Sequence, residues 1–407
     1  MRDESKQTTP SSLIPHPSSL KEHWLLDPSV TYLNHGSFGA TPKVVLAKQD
    51  EFRRRMEQEP VRFLIRELEP LLDDVRRTLG TFIGAPPENL AFVPNATAGV
   101  NAVLSSLTFS ADDELLVTNH EYNACRNALE SIASRSGARV NVVDIPFPVG
   151  SPDEIFDSVM SAATGRTRLL LIDHITSQTA LIMPVARIVT AMNVRGIDTL
   201  IDGAHAAGHI PLDIRAVGPA YYTGNLHKWV CAPKGAAFLY VRADKRDAIR
   251  PVAISHGANS PRTDRSRFHL EFDWTGTYDP SPWLAVSEAL RFLPTLVEGG
   301  WAEVMRRNHT LVLRAREILC DALRIEKPAP DDMLGAMASV SLPDGEPTPL
   351  SPLSIDPLQD ALLERFSIEV PVMQWPSPPK RVLRVSAQLY NTVDEYDQLA
   401  DALHQLL

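Results

Sequence analysis

Residues Thr167–His205 read TRLLLIDHITSQTALIMPVARIVTAMNVRGIDTLIDGAH, and this stretch decides the fold. It opens on an apolar run, LLLI, that ends in Asp173, and it closes on a second, TLI, that ends in Asp202. Between them PVARIVTAMNVRGI repeats its apolar residues at helical spacing. Neither run alternates polar with apolar residues, as a strand with one wet face would, so both read as strands covered on two faces. Strand, helix and strand in this order form the crossover unit of a parallel sheet.

Working outward, the same rhythm holds from about Leu90 to Tyr240: LAFVPN precedes TAGVNAVLSSL, DELLVTN precedes NACRNALESIASRSG, and ARVNVVDI and AAFLYV follow. The fold class is α/β, a large domain with a mainly parallel sheet, and ligands in such sheets gather at the carboxyl ends of the strands. Upstream, VVLAKQDEFRRRMEQ after Pro42 predicts a helix starting near the proline, and LIRELEPLLDDVRRTLGTFIG a second, amphipathic one. After Pro282 long helical text leads into strands and helices of a smaller α+β domain. The expected organisation is a disordered tail over 1–23, rich in Ser, Pro and Thr, then an N-terminal segment and large domain over 24–285, and a small C-terminal domain over 286–407. The Pro- and Ser-rich stretch SLPDGEPTPLSPLS reads as a surface loop of that domain.

Composition removes several classes of function. Forty Lys and Arg against 50 Asp and Glu leave a net charge of −10, which disfavours a surface that neutralises nucleic-acid phosphates. A hydrophobic share of 44% with 22% charged residues suits a folded globular chain. No run of membrane-spanning length and no signal-peptide core is visible, and Cys125, Cys231 and Cys320 are too few for a disulfide framework or a closed zinc site. A reducing, cytoplasmic setting is the expectation, with no metal.

Three segments carry chemistry. In YYTGNLHKWVCAPKG, Lys228 lies between apolar strands beside His227 and Trp229. Partial desolvation there would free the amine for Schiff-base chemistry, although a loop lysine is more often a solvated surface residue, and Lys234 poses the same question. Asp202 ends an apolar strand 26 positions before Lys228. A carboxylate so placed can keep the pyridine nitrogen of pyridoxal phosphate protonated, or can simply shape an Asp-Gly turn. In VPNATAGVN, Asn95, Ala96 and Thr97 stand at a strand-to-helix junction, where free N–H groups suit a phosphate and the bland alternative is helix capping.

Together with YLNHGSFG, HEYNA, DHITSQTALIMPV, DGAHAAGHIPLD, GNLHKW, APKG, SHG, WTGTYDP and RVSAQLYN, these segments run in order from Tyr32 to Asn391. In this order they resemble the fold-type I pyridoxal-phosphate enzymes of the class V aminotransferase family, in its isopenicillin N epimerase-like and cysteine desulfurase-like branch. The resemblance implies a mainly parallel sheet of seven-stranded type with a smaller α+β C-terminal domain, and pyridoxal 5'-phosphate as cofactor. It implies Lys228 as the Schiff-base lysine and α-proton shuttle, Asp202 on the ring nitrogen, His205 on the phenolic oxygen, Tyr122 stacked on the ring and Ser177 near it. Ala96, Thr97, Asn225 and His227 would hold the phosphate. Gly276 and Thr277 would reach the phosphate of a neighbouring subunit, giving a homodimer with shared active sites. Arg384 would clamp the α-carboxylate of an amino-acid substrate, with Asn34 and His35 folding over the site.

One departure narrows the chemistry: no cysteine follows Cys320, which lies in helical text, so the mobile-loop cysteine of desulfurases has no counterpart. The expected activity is at the α-carbon of an amino acid, with β-elimination of the C–S lyase type and epimerisation standing level and transamination behind. Epimerisation needs a second acid, for which Tyr122 and His35 are nominees. From another class, the rival is a non-catalytic binding protein that keeps the fold.

Overall fold

The computed structural model describes residues 20–347 and 354–407. Most of the expected tail, and residues 348–353 of the Pro- and Ser-rich stretch, lie outside the described residues. A short β1 (Thr31–Tyr32) precedes the strands of the large sheet, β2 (Leu90–Val93), β3 (Glu114–Thr118), β4 (Arg139–Val143), β5 (Thr167–Asp173), β6 (Asp198–Asp202), β7 (Tyr221–Asn225) and β8 (Ala237–Val241). These seven lie in the order β2-β8-β7-β6-β5-β3-β4. Only β8 runs against its neighbours. The helix Val185–Val194 makes the expected crossover from β5 to β6.

The unbroken apolar text has its cause here. Leu170, Ile172, Ile201 and Tyr222 point into one core, while Leu169, Leu171, Leu200 and Tyr221 point into a second on the opposite face. Covering both faces removes each such side chain from water, at about 1.5–3 kcal/mol apiece, and leaves no position for a polar alternate.

The helix after Pro42 spans Lys43–Gln58. The second expected helix begins earlier, at Pro60, and runs on to Ile83 with one π-turn over Phe63–Glu67. Pro70 accounts for the π-turn, since it has no N–H to offer the carbonyl of Arg66 and its ring crowds that carbonyl.

The smaller sheet combines β9 (Met337–Ser341), β11 (Val372–Gln374) and β12 (Arg381–Ser386) in the antiparallel order β11-β12-β9, and β10 (Ile368–Glu369) pairs in parallel with β1. Helices Gly300–Leu323 and Val393–Leu406 pack on it, the latter started by a Thr392–Glu395 capping box. The expected division at 285/286 needs correction: Val286, Ala289 and Leu290 pack into a large-domain core, and Leu33 from the N-terminal segment packs into the small-domain core. The expected tail over 1–23 also runs too far, because Leu20 is buried with Leu293, Leu296 and Tyr390.

The helix Ala96–Ser106 lies so close to β7 that a Cβ on Gly99 would sit 2.2 Å from Thr223 Oγ1. Gly99→Ala should therefore destabilise the protein by about 1–3 kcal/mol despite the better helix propensity of alanine. Urea unfolding checks it: the midpoint falls at unchanged slope, and an unchanged or higher midpoint would contradict the packing described.

Candidate active site

The carboxyl ends of β5, β6 and β7 carry Asp173, Asp202 and Asn225, and Asp173 pairs in register with Asp202. In-register residues of adjacent strands face the same side of the sheet, so the two carboxyls stand beside each other. The loop after β3 adds Tyr122, the start of helix Ala96–Ser106 adds Ala96 and Thr97, and the turn after β7 adds His227 and Lys228. With Ser37, Phe38, Ser177, Ala204 and His205 they line one cavity of about 360 Å³. Larger hollows of about 660 and 500 Å³ lie elsewhere, and neither is lined by Lys228 or Asp202.

Lys228 Nζ lies 2.9 Å from His205 Nε2, and Trp229 Nε1 donates to His205 Nδ1 at 3.4 Å. With Nδ1 accepting, a neutral imidazole carries its proton on Nε2 and donates it to the amine lone pair. That arrangement requires an uncharged amine. Burial, reinforced by the Arg384 cation, lowers the Lys228 amine to about 7. The side chain's accessible part is wall of the cavity rather than outer surface. Burial, then Lys228, also holds His205 well below the ordinary histidine range. Lys234, the other lysine on this cavity, donates to the Gly39 carbonyl at 3.0 Å.

The back of the lysine turn is fixed by the N-terminal segment. His35 Nε2 donates to the Lys228 carbonyl at 3.0 Å, and His35 Nδ1 accepts from the Tyr390 hydroxyl at 2.8 Å. Burial drops His35 to about 3, so it stays neutral. Gly39, at φ +68°, leaves no room for a side chain: a Cβ there would lie 2.0 Å from the His227 carbonyl oxygen and 2.9 Å from Lys228 Cα.

Asn34 and His35 do not line the cavity, contrary to the substrate-facing placement expected of them. The single helical turn His35–Phe38 directs them away from it: Asn34 Nδ2 donates to Glu369 Oε1 at 3.0 Å and His35 braces the lysine turn, while Ser37 and Phe38 reach the site. Gly276 and Thr277, expected at the phosphate of a neighbouring subunit, are not part of this chain's own cavity; a Cβ on Gly276 would meet open space, and Thr277 is exposed.

At the helix start, Ala96 N–H donates to Asn225 Oδ1 at 2.9 Å and Ala98 N–H to Asn95 Oδ1 at 2.8 Å. Ala96 is thus committed to Asn225, leaving the Thr97 N–H and hydroxyl as the anion-facing donors of this turn. His227 Nδ1 donates to the Ala236 carbonyl at 3.2 Å.

Asp202 Oδ1 accepts from Ala204 N–H at 2.9 Å, so the turn chemistry seen in the sequence is present, and Oδ2 accepts from the Cys125 thiol at 3.0 Å. Arg384, buried on β12, donates through Nη1 to the Ser177 carbonyl at 2.5 Å and through Nη2 to the Ser37 hydroxyl at 2.8 Å. Its Nε has no partner. Arg384, like Asn34 and His35, does not itself line the cavity, but its two Nη groups are bonded to the lining residues Ser37 and Ser177, which puts a planar cation directly behind the cavity wall, where it attracts a carboxylate. All three cysteines are buried thiols, Cys231 pushed up to about 12 by burial, and none is placed as a nucleophile.

Sequence reading missed Glu121, Asp173, Ser37 and Phe38. Asp173 ends its apolar run just as Asp202 does, and that parallel was the available signal.

Amine, paired strand-end carboxyls, helix start and guanidinium define an enzyme that works on amino groups with a bound pyridoxal phosphate. The chain belongs to the aminotransferase class-V family, whose model matches residues 31–399. It is 38% identical over 405 residues to isopenicillin N epimerase of Amycolatopsis lactamdurans, covering 96% of this chain and 98% of the relative. It is 32% identical over 406 residues to a probable chloroplastic L-cysteine desulfhydrase of Arabidopsis thaliana, covering 94% and 84%. Among solved structures, an apo cysteine desulfurase from Thermococcus onnurineus superposes with a TM-score of 0.77 at 19% identity, covering 97% of this chain and 98% of that one. A C-DES variant with glycine covalently linked to its PLP cofactor gives 0.77 at 20%, covering 94% and 98%. At such identities these structures speak to the fold, which is the one expected, with the seven-stranded mainly parallel sheet and the smaller C-terminal unit. Among the described residues no helix is long and apolar enough to cross a membrane.

The amine is protonated below about 7 and carries a free lone pair above it. Capture of added pyridoxal phosphate by the cofactor-free protein, followed by visible absorption, should accelerate as pH rises toward 7 and then level off. A rate that is flat across this range would contradict the lowered amine.

Proposed function

We propose that the chain acts at the α-carbon of a small free amino acid and expels a sulfur-containing substituent from its β-carbon. The observation that carries this reading is the Lys228 amine, kept neutral against His205 in a cavity that holds Asp202 and is bordered by Arg384. Bound pyridoxal phosphate supplies an electron sink for the charge left when the Cα–H bond is broken. Lys228 would hold the cofactor through Nζ, Asp202 would keep its ring nitrogen protonated, and His205 would face its phenolic oxygen. Tyr122 would cover the ring, with Ser177 beside it. Thr97, through its N–H and hydroxyl, would hold the phosphate with the Asn225 amide N–H and His227, the Ala96 N–H being taken by Asn225.

Lys228 takes the α-proton, the Cβ–S electron pair leaves with sulfur, and hydrolysis yields pyruvate, ammonia and a thiol or sulfide. One base suffices for this. At about 360 Å³ the cavity is near the small end for ligand pockets and must hold the cofactor as well, which favours a substrate of cysteine's size. The relative named L-cysteine desulfhydrase supports the same reading.

A second reading, epimerisation, is favoured by Tyr122. Its ring lines the cavity and burial raises its phenol, keeping it protonated as a second donor. The relative named isopenicillin N epimerase supports it. In either case we place the enzyme in the cytoplasm as a homodimer, with Gly276 and Thr277 extending to the partner's phosphate site.

L-cysteine or an S-conjugate, incubated with the holoenzyme in deuterated water, should release pyruvate. α-Deuterium with inverted chirality and no pyruvate would replace this reading with epimerisation. Lys228→Ala should lower turnover by at least about 10²–10⁴-fold. Arg384→Lys, which loses the two-pronged guanidinium, should raise KM by about tenfold or more while changing kcat less; an unchanged KM would remove Arg384 from carboxylate binding.

A further inference from the structure

Behind Asp202 lies a group of buried carboxyls that the proposed reaction does not use. Glu121, Cys125 and Asp202 bring one ligand atom each within 4.8 Å of one another, and Asp173 stands beside Asp202 in the register of β5 and β6. Glu121 is 6% exposed and Asp173 3%. Glu121 Oε1, Glu121 Oε2 and Asp173 Oδ2 make no well-formed hydrogen bond, the Tyr122 backbone N–H being the one donor turned toward Glu121. Two carboxylates in this position would set acceptor against acceptor on oxygen atoms buried from solvent, at high cost. The two side chains face each other, and a single proton between them turns the clash into a hydrogen bond. The other titratable groups around them are Asp202, Cys125, Tyr122 and Lys228.

We propose that Glu121 holds a proton and donates it to Asp173, and that this pair acts as a positioning element for the ring-nitrogen end of the cofactor, from behind Asp202. The inference rests on the reading of Asp202 as the ring-nitrogen partner. Asp173 lines the cavity, so the proton on Glu121 decides how much negative charge that end of the site presents: one unit from the pair instead of two. Burial pushes both carboxyls well above their ordinary range, which agrees with a retained proton. The Cys125 thiol complements the pair by donating to Asp202 Oδ2, so that Asp202 is held by an uncharged donor and need not share its own charge with Glu121.

Infrared spectra of the cofactor-free protein near neutral pH test the proton directly. The difference between wild type and Glu121→Gln should show the loss of one C=O stretch of a protonated carboxyl. Glutamine keeps a donor aimed at Asp173, so Glu121→Gln should bind pyridoxal phosphate within about twofold of wild type, while Glu121→Ala and Asp173→Ala should weaken binding by about tenfold or more. The absence of that band, or equal weakening by glutamine and alanine at position 121, overturns the proposal. So does a Glu121→Gln protein that fails to fold, since the amide matches the protonated acid in shape. Asp202→Ala separates the two readings: if cofactor affinity and visible spectrum survive it, the ring-nitrogen assignment fails, while the infrared band still reports on the pair.

Discussion

An amine that must act as nucleophile and base near neutral pH has to shed its proton, and the surroundings of Lys228 are arranged to bring this about. A lysine ammonium removed from water loses several kcal/mol of hydration, so enclosure alone drives it toward the neutral form. The chain adds a cation, Arg384, near the amine and a neutral imidazole, His205, whose proton points at its lone pair. The carboxylate Asp202 works in the opposite sense and keeps the value from falling further. The balance of these effects is what makes one lysine in this chain different from a solvated one.

Holding that balance takes three separate parts of the sequence. The large sheet supplies Asp202 and the lysine turn at the carboxyl ends of neighbouring strands. The N-terminal segment supplies the support, with His35 bonded to the Lys228 carbonyl and Gly39 pressed against the His227–Lys228 backbone. The small domain supplies Arg384, whose two Nη groups reach Ser177 of the large domain and Ser37 of the N-terminal segment. Because β1 pairs with β10, the N-terminal segment is tied to the small domain, and the guanidinium and the support are positioned together.

The strand-end aspartate, the loop lysine and the capped helix start were legible in the sequence because each follows from its immediate neighbours: an apolar run, a turn, a small-residue junction. His35 was legible as a residue of the site but not in its task. The family resemblance implies a place over the site, whereas its task comes from two hydrogen bonds to distant groups, the Lys228 carbonyl 193 positions away and the Tyr390 hydroxyl 355 positions away. Ala96 was read as a phosphate donor from its place at a helix start, and only the approach of Asn225 from β7 shows that its N–H is taken. Glu121 carried no local signal at all, since a glutamate beside a histidine and a tyrosine in a loop reads as exposed until β5 and β6 close over it.

By itself the sequence determined the class of fold, through two-sided apolar runs that can be buried only in a covered parallel sheet, and the kinds of chemical group available. The tertiary structure alone decided which groups share a cavity, which are neutral, and where one helical domain ends, as shown by the π-turn before Pro70 and by Val286 packing into the large core. The physical reason is range. Periodicity and turn chemistry act over a few residues, whereas desolvation and hydrogen-bond pairing depend on what distant segments bring to the same few ångströms.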